Sequence, residues 1–208
     1  IKMVLNMLIL NLPVEKIGTE MHELLTMANR TTEDVFSLLD NLLKWTKSQI
    51  GNLNVVYQDI DAVEVMDSVI DVFNMIAGLK KITIREEKPE KLPVCADIDM
   101  LKTVIRNLLS NAIKFSNENS EVLVKMEEQG DMVVVSVKDN GCGIDEEGQK
   151  KLLHTDTHFS TFGTNNEEGS GLGLLLCQDF VVKNGGKLWF TSKQGEGSTF
   201  YFSIPLKK

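Results

Sequence analysis

The chain has 208 residues, 42% of them hydrophobic and 25% charged, and a net charge of −8. That length holds one full domain and an appendage. The acidic balance and the lack of a basic stripe argue against nucleic acid as a partner, and no apolar run in the sequence approaches membrane-spanning length.

Residues 1–11 are apolar in a helical pattern that Pro13 ends. A longer helix is predicted from Val14 to Gly51. Along it Leu24, Ala28, Thr31, Val35, Leu38, Leu42 and Trp45 alternate by four and three, the spacing of a heptad seam. Leu25, Leu39 and Leu43 widen the stripe beyond what a solitary helix exposes. The short first helix cannot cover it, so either that helix is truncated at Ile1 or another chain supplies the cover, in a coiled coil or a four-helix bundle. Gly51-Asn52 marks a junction, dividing the chain into 1–51 and 52–208. The absence of a signal peptide and the start at Ile1 rather than Met predict a piece cut from a longer protein.

Beyond the junction the pattern becomes α+β. Val55-Val56-Tyr57 predicts a strand, Asp61 to Ala77 an amphipathic helix, and Ile82 to Glu86 an alternating strand. Pro89 and Pro93 bracket a loop before a short strand, Val94-Cys95-Ala96. Asp97 then caps a helix. Glu121 to Glu127 and Met132 to Lys138 predict a hairpin around Gly130-Asp131, with Val133, Val135 and Val137 facing the core. A short helix and a polar loop follow, then a helix from Gly171 to Lys183. After a Gly185-Gly186 turn come strands over 187–193 and 198–204. This order predicts a two-layer sandwich with helices on one face of a mixed sheet. Cys95, Cys142 and Cys177 are odd in number and contain no CxxC pair, which weighs against zinc and against a disulfide framework.

The chemistry concentrates in four blocks. In Asn107-Leu-Leu-Ser-Asn111-Ala-Ile-Lys114-Phe115, two carboxamides four residues apart share a helix face and Lys114 follows nearby. A carboxamide oxygen is a hard ligand suited to Mg²⁺ and an ammonium suits phosphate. The structural alternative is two Asn residues capping or bridging to backbone. In Asp139-Asn-Gly141-Cys-Gly143-Ile144, the carboxylate ends a valine-rich strand, a costly place unless it is used. Its structural alternative is a cap on the Asn140-Gly141 turn. Gly169-Ser170-Gly171-Leu172-Gly173-Leu174 precedes a helix, so free N–H groups offer an anion site. Its spacing is not the dinucleotide-binding G-x-G-x-x-G, and the one Gly-Lys, Gly186-Lys187, is followed by Leu, so it is not a Walker A loop. No protein-kinase His-Arg-Asp or Asp-Phe-Gly occurs. Gly195-Glu-Gly197-Ser-Thr199-Phe fits a hairpin turn and closing strand.

In this order the blocks resemble the N, G1, G2 and G3 boxes of the GHKL ATP-binding fold, above all in the catalytic domain of a bacterial sensor histidine kinase of the two-component type. The resemblance implies an α+β class: a two-layer α/β sandwich, the Bergerat ATP-binding fold, preceded by an α-helical hairpin of a dimeric four-helix bundle. It implies ATP and Mg²⁺ as cofactors and transfer of the γ-phosphoryl to a histidine, for relay to a response-regulator aspartate. By the same likeness Asn111 holds the metal, while Asn107 and Lys114 assist metal and phosphates. Asp139 accepts from the adenine amine, and Gly141, Gly143 and Ile144 form the nucleotide wall. Phe115, Ser170, Gly171, Leu172, Gly173 and Thr199 also fall at nucleotide-binding positions. The implied partners are a second copy through the N-terminal helices and a receiver domain, with no nucleic acid. Membrane contact is expected only through parts of the longer protein, which makes this the cytoplasmic portion of an inner-membrane sensor.

Three local details refine the expectation. The polar stretch His154 to Phe162 resembles the F box and ATP lid, with Phe159 and Phe162 pinning it; His154 and His158 lack a third ligand for a metal pair. Met21-His22-Glu23-Leu24 resembles the phospho-acceptor box but lacks its Arg and Pro, so the acceptor is expected upstream of Ile1. Where ATP-hydrolysing relatives carry a glutamate base, this chain has Asn107, which cannot take a proton. The site is therefore expected to hold ATP without hydrolysing it rapidly. The alternatives are another GHKL enzyme, a serine kinase or an ATPase, and a degenerate nucleotide-binding dimerisation scaffold. The heptad helix and Asn107 weigh against the first, and the intact boxes against the second.

Overall fold

A computed structural model of the chain describes residues 54–152, 164 and 172–207, with further residues scattered between 18 and 46. The predicted first helix over 1–11 with Pro13, the lid-like stretch 154–162 and the glycine-block residues 169–171 lie outside the described residues. The chain divides into two compact units, 1–50 and 51–208. In the first, every described residue is helical. Leu24, Met27, Val35, Leu39, Leu42 and Leu43 expose their apolar side chains.

In the second unit, β1 (Gln58–Asp61) leads into α1 (Ala62–Leu79). Asp61 is the N-cap, accepting from Val63 N–H at 3.0 Å. Val65, Met66, Val69, Ile70, Phe73 and Ala77 recur at helical spacing and are buried. Next come β2 (Thr83–Glu87), β3 (Pro93–Ala96) and α2 (Ile98–Phe115). Asp97 caps α2 through Asp99 and Met100 N–H groups, both at 3.0 Å. The hairpin β4 (Glu121–Gln129) and β5 (Met132–Lys138) turns at Gly130, whose φ of 64° suits a residue without Cβ. α3 (Glu146–Lys151), α4 (Leu172–Lys183), β6 (Leu188–Lys193) and β7 (Gly197–Pro205) complete the unit.

The five-stranded sheet has the order β2-β4-β5-β7-β6, parallel between β2 and β4 and antiparallel elsewhere. β1 and β3 pair separately. Val133, Val135 and Val137 of β5 lie beside Ile204, Phe202 and Phe200 of β7, and all six are buried. Against this face lie the buried sides of α1, α2 and α4, with α2 packed between the other two. The result is the two-layer α/β sandwich expected. Each fully buried side chain of this size contributes roughly 1.5–3 kcal/mol.

One predicted strand is displaced. Val55-Val56-Tyr57 is not a strand; pairing begins at Gln58, opposite Ala96. The reason is that β3 ends where Asp97 turns to cap α2, leaving no ladder for residues 55–57. Val56 N–H bonds the Asp97 carboxylate instead, at 2.9 Å, and the Tyr57 hydroxyl donates to the Lys183 carbonyl at 2.6 Å.

Candidate functional site

The α2 helix carries the first block on its less buried side. Leu108, Leu109, Ala112 and Ile113 are in the core, while Asn107, Asn111 and Lys114 are half-buried. Asn107 Nδ2 donates to the Thr103 carbonyl one turn back, at 3.0 Å. Its Oδ1 faces Gly173 so closely that a Cβ there would lie 3.0 Å away. The buried Cys177 thiol, on the same helix as Gly173, donates to the Val104 carbonyl at 3.9 Å; burial pushes that thiol far up, and the Asn107 side chain offsets it only in part. Asn111 makes no side-chain hydrogen bond among the described residues. The Lys114 ammonium stands 5.1 Å from the centre of the Phe115 ring.

At its C-terminal end α2 meets the second block. A Cβ on Gly141 would lie 2.0 Å from the Phe115 carbonyl oxygen, so only glycine lets the strand end approach the helix. Gly143 has φ of 63° and sits as close to the Lys193 carbonyl. Close approaches within the chain itself therefore already require these two glycines. The hairpin block locks on from the other side: Gly195 N–H donates to Cys142 O at 2.7 Å, and Ile144 N–H to Ser192 Oγ at 2.9 Å. Thr199, half-buried, pairs with Lys138 beside Asp139.

Asp139 is 3% exposed. Its Oδ1 accepts from Gly141 N–H at 2.9 Å and Ser198 N–H at 3.1 Å. Among the described residues no group donates to Oδ2. Burial raises the carboxyl above the usual carboxylate range, and the Gly141 and Ser198 amides pull it partly back. The turn-capping and ligand-binding alternatives are thus compatible, because one oxygen closes the turn and the other has no donor among the described residues. A depression of about 250 Å³ beside it is lined by Asp139, Ser192, Glu196, Ser198 and Thr199, but not by Asn111 or Lys114.

α2 is accordingly the common element. Asn107 touches the start of α4 and Phe115 touches the Asp139 turn, and Asn111 and Lys114 lie on the helix between these contacts. Leu172 opens α4 and is buried; Ser170 and Gly171, like His154, His158, Phe159 and Phe162, lie outside the described residues. The role of Ser198 was not legible, although it stands in the last block, because its partner is 59 residues away. His22 belongs to the first unit, where its Nδ1 is buried with no hydrogen-bond partner among the described residues.

Residues 96–208 match the family model of histidine kinase-, DNA gyrase B- and HSP90-like ATPases. The chain belongs to this family. Among curated relatives it is 32% identical to the adaptive-response sensory kinase SasA of Rippkaea orientalis, over 81% of this chain and 43% of that protein. It is 30% identical to the sensor histidine kinase WalK of Bacillus subtilis, over 88% of this chain and 30% of the relative. The nucleotide-free catalytic domain of histidine kinase ThkA superposes with a TM-score of 0.63 at 31% identity, covering 73% of this chain and 96% of that one. The family domain here is thus the ATP-binding catalytic core of the sensor histidine kinase kind. The chain spans less than half the length of these two curated relatives. Among the described residues no helix is long and apolar enough to cross a membrane.

Proposed function

We propose that this chain binds Mg²⁺–ATP and serves, within a longer protein, to transfer the γ-phosphoryl to a histidine outside residues 1–208, for relay to a receiver-domain aspartate. The observation that carries the reading is the buried Asp139 carboxylate, whose Oδ1 is engaged by two backbone amides while Oδ2 receives no donor from the described residues. Such an acceptor suits an exocyclic adenine amine. Asn111 offers the metal a carboxamide oxygen with no competing hydrogen bond among the described residues. One such ligand fits Mg²⁺, which keeps waters and leans on substrate phosphates. When bound, the ion neutralises phosphate charge. Lys114 adds a cation at the end of the same helix. Asn107, in contact with Gly173, holds the start of α4 against the phosphate side. Phe115, Gly141, Gly143, Ile144, Leu172, Gly173 and Thr199, with Ser170 and Gly171, complete the nucleotide surface. Phosphoryl transfer needs positioning and charge neutralisation more than covalent assistance. Asn107 is no base for water, which fits an imidazole acceptor.

Isothermal calorimetry of Asp139→Asn tests the adenine assignment. The Asn oxygen can still accept from Gly141 and Ser198, so the fold should persist. ATP affinity should fall by roughly a hundredfold, the order expected when a charged acceptor is lost. Equal affinity in parent and variant would remove Asp139 from the site.

The same reading makes residues 1–51 a partial dimerisation hairpin. The exposed Leu24, Met27, Val35, Leu39 and Leu43 support it, since an apolar stripe of this kind seeks cover. The chain should sediment as a dimer at roughly tens of micromolar. A monomer at that concentration excludes this role. A receiver domain as partner and a cytoplasmic location beside a membrane follow from the same proposal.

A further inference from the structure

Lys80 has no part in the chemistry above, yet its ammonium lies where three pieces of the second unit meet. The residue caps α1, its backbone N–H bonding the Ala77 and Gly78 carbonyls, and it is only 8% exposed. Its Nζ donates to the Ile113 carbonyl at 3.0 Å, the Lys114 carbonyl at 2.9 Å and Thr164 Oγ1 at 2.6 Å. Ile113 and Lys114 belong to the last turn of α2, where carbonyls lack intrahelical donors. The negative end of the helix dipole favours a cation there. Thr164 joins the same turn: its N–H donates to Lys114 O at 3.2 Å and its hydroxyl reaches Ser116 O at 2.8 Å. A buried ammonium is tolerated only where its protons find acceptors, and this one finds three among the described residues.

We propose that Lys80 is a positioning residue for the nucleotide site. It fixes the last turn of α2, and with it the backbone of Lys114 one turn beyond Asn111, and it clamps Thr164 to that turn. The proposal rests on the nucleotide reading of Lys114 and Asn111. The Lys114 carbonyl is held from two directions, by Lys80 and by Thr164. Its ammonium therefore projects from a backbone that cannot drift. Simple filling of space would need no charge, since an apolar side chain of the same length fits with less desolvation. Lys80 also precedes the residues that match the family model, 96–208, so that match does not speak for it.

The test compares the full chain with Lys80→Met, Thr164→Val and the double variant. Mg²⁺–ATP affinity is measured by calorimetry well below each unfolding midpoint, and the midpoints are measured alongside. Lys80→Met should bind Mg²⁺–ATP about tenfold more weakly, and Thr164→Val severalfold more weakly, as expected for lost charge-assisted contacts. The double variant should lose no more than Lys80→Met alone, because both changes open one clamp. A lowered midpoint with unchanged affinity overturns the proposal and leaves Lys80 a purely structural cap; additive losses also overturn it. If Lys80→Met does not fold, Thr164→Val decides, and parental affinity in that variant is the overturning result. A parent chain that fails to bind Mg²⁺–ATP overturns the nucleotide reading instead.

Discussion

Two aspartates of this chain share a residue type and a depth, and differ by one oxygen. Asp97 is 7% exposed and Asp139 is 3% exposed. At Asp97, Oδ1 accepts from Asp99 and Met100 N–H groups and Oδ2 from Val56 N–H, and its own N–H donates to Asn184 Oδ1 at 2.8 Å. Both oxygens are occupied. At Asp139 only Oδ1 has donors among the described residues. Burial alone therefore does not separate a structural carboxylate from a functional one. What separates them is whether the fold uses both oxygens: Asp139 Oδ2 is not among the buried atoms that lack a partner, and the residue lines an open depression, so this oxygen is left reachable from outside the chain.

The comparison breaks most visibly at Asp97. Asp97→Ala removes the N-cap of α2 and strands the Val56 N–H, so denaturant unfolding should show a loss of about 2–4 kcal/mol. Nucleotide affinity, measured where the variant is still folded, should stay at the parental value. If instead affinity falls while stability holds, Asp97 is no mere cap and the distinction between the two carboxylates is lost.

The two residues also differ in how far the sequence exposes them. Asp97 is legible as a cap because the helix it starts follows within three residues, and local chemistry is what sequence pattern records. The strands, the hairpin at Gly130 and the amphipathic α1 are legible for the same reason, each being a periodicity or a turn written in adjacent residues. Asp139 is legible only as a carboxylate out of place in a valine strand. Its division of labour depends on Ser198, which the hairpin brings in from the far end of the unit. Gly141 and Gly143 are recognisable as glycines, but their reason is a carbonyl of Phe115 and one of Lys193, and neither is near in sequence. Val55 to Tyr57 misled because β propensity is real there while a partner strand is not. Lys80 gave no sign at all: a lysine just past a helix is the commonest of solvated residues, and only packing shows α2 ending on it.

A smaller effect sharpens the comparison through pH. Burial raises the Asp139 carboxyl above its usual range, more than the Gly141 and Ser198 amides lower it. The folded chain therefore keeps this proton at pH values where the unfolded chain has released it. In that window the native state binds more protons, so stability falls as pH rises. The contribution is fully present below the unfolded carboxyl's pKa and lost once pH passes the folded one. Asp139→Asn cannot titrate and escapes this loss, while keeping an oxygen for the two amides. Stability of the variant minus that of the parent should therefore climb with pH above the unfolded carboxyl's pKa and level off once pH passes the folded one. Guanidinium unfolding of both chains at several values between about pH 3 and pH 8 measures it directly. A difference that is flat, or that falls with pH, means the carboxylate is stabilised by its surroundings rather than strained by them. Asp139 would then be a second Asp97, satisfied by its own fold, and the argument that its open oxygen awaits a ligand would lose its physical basis.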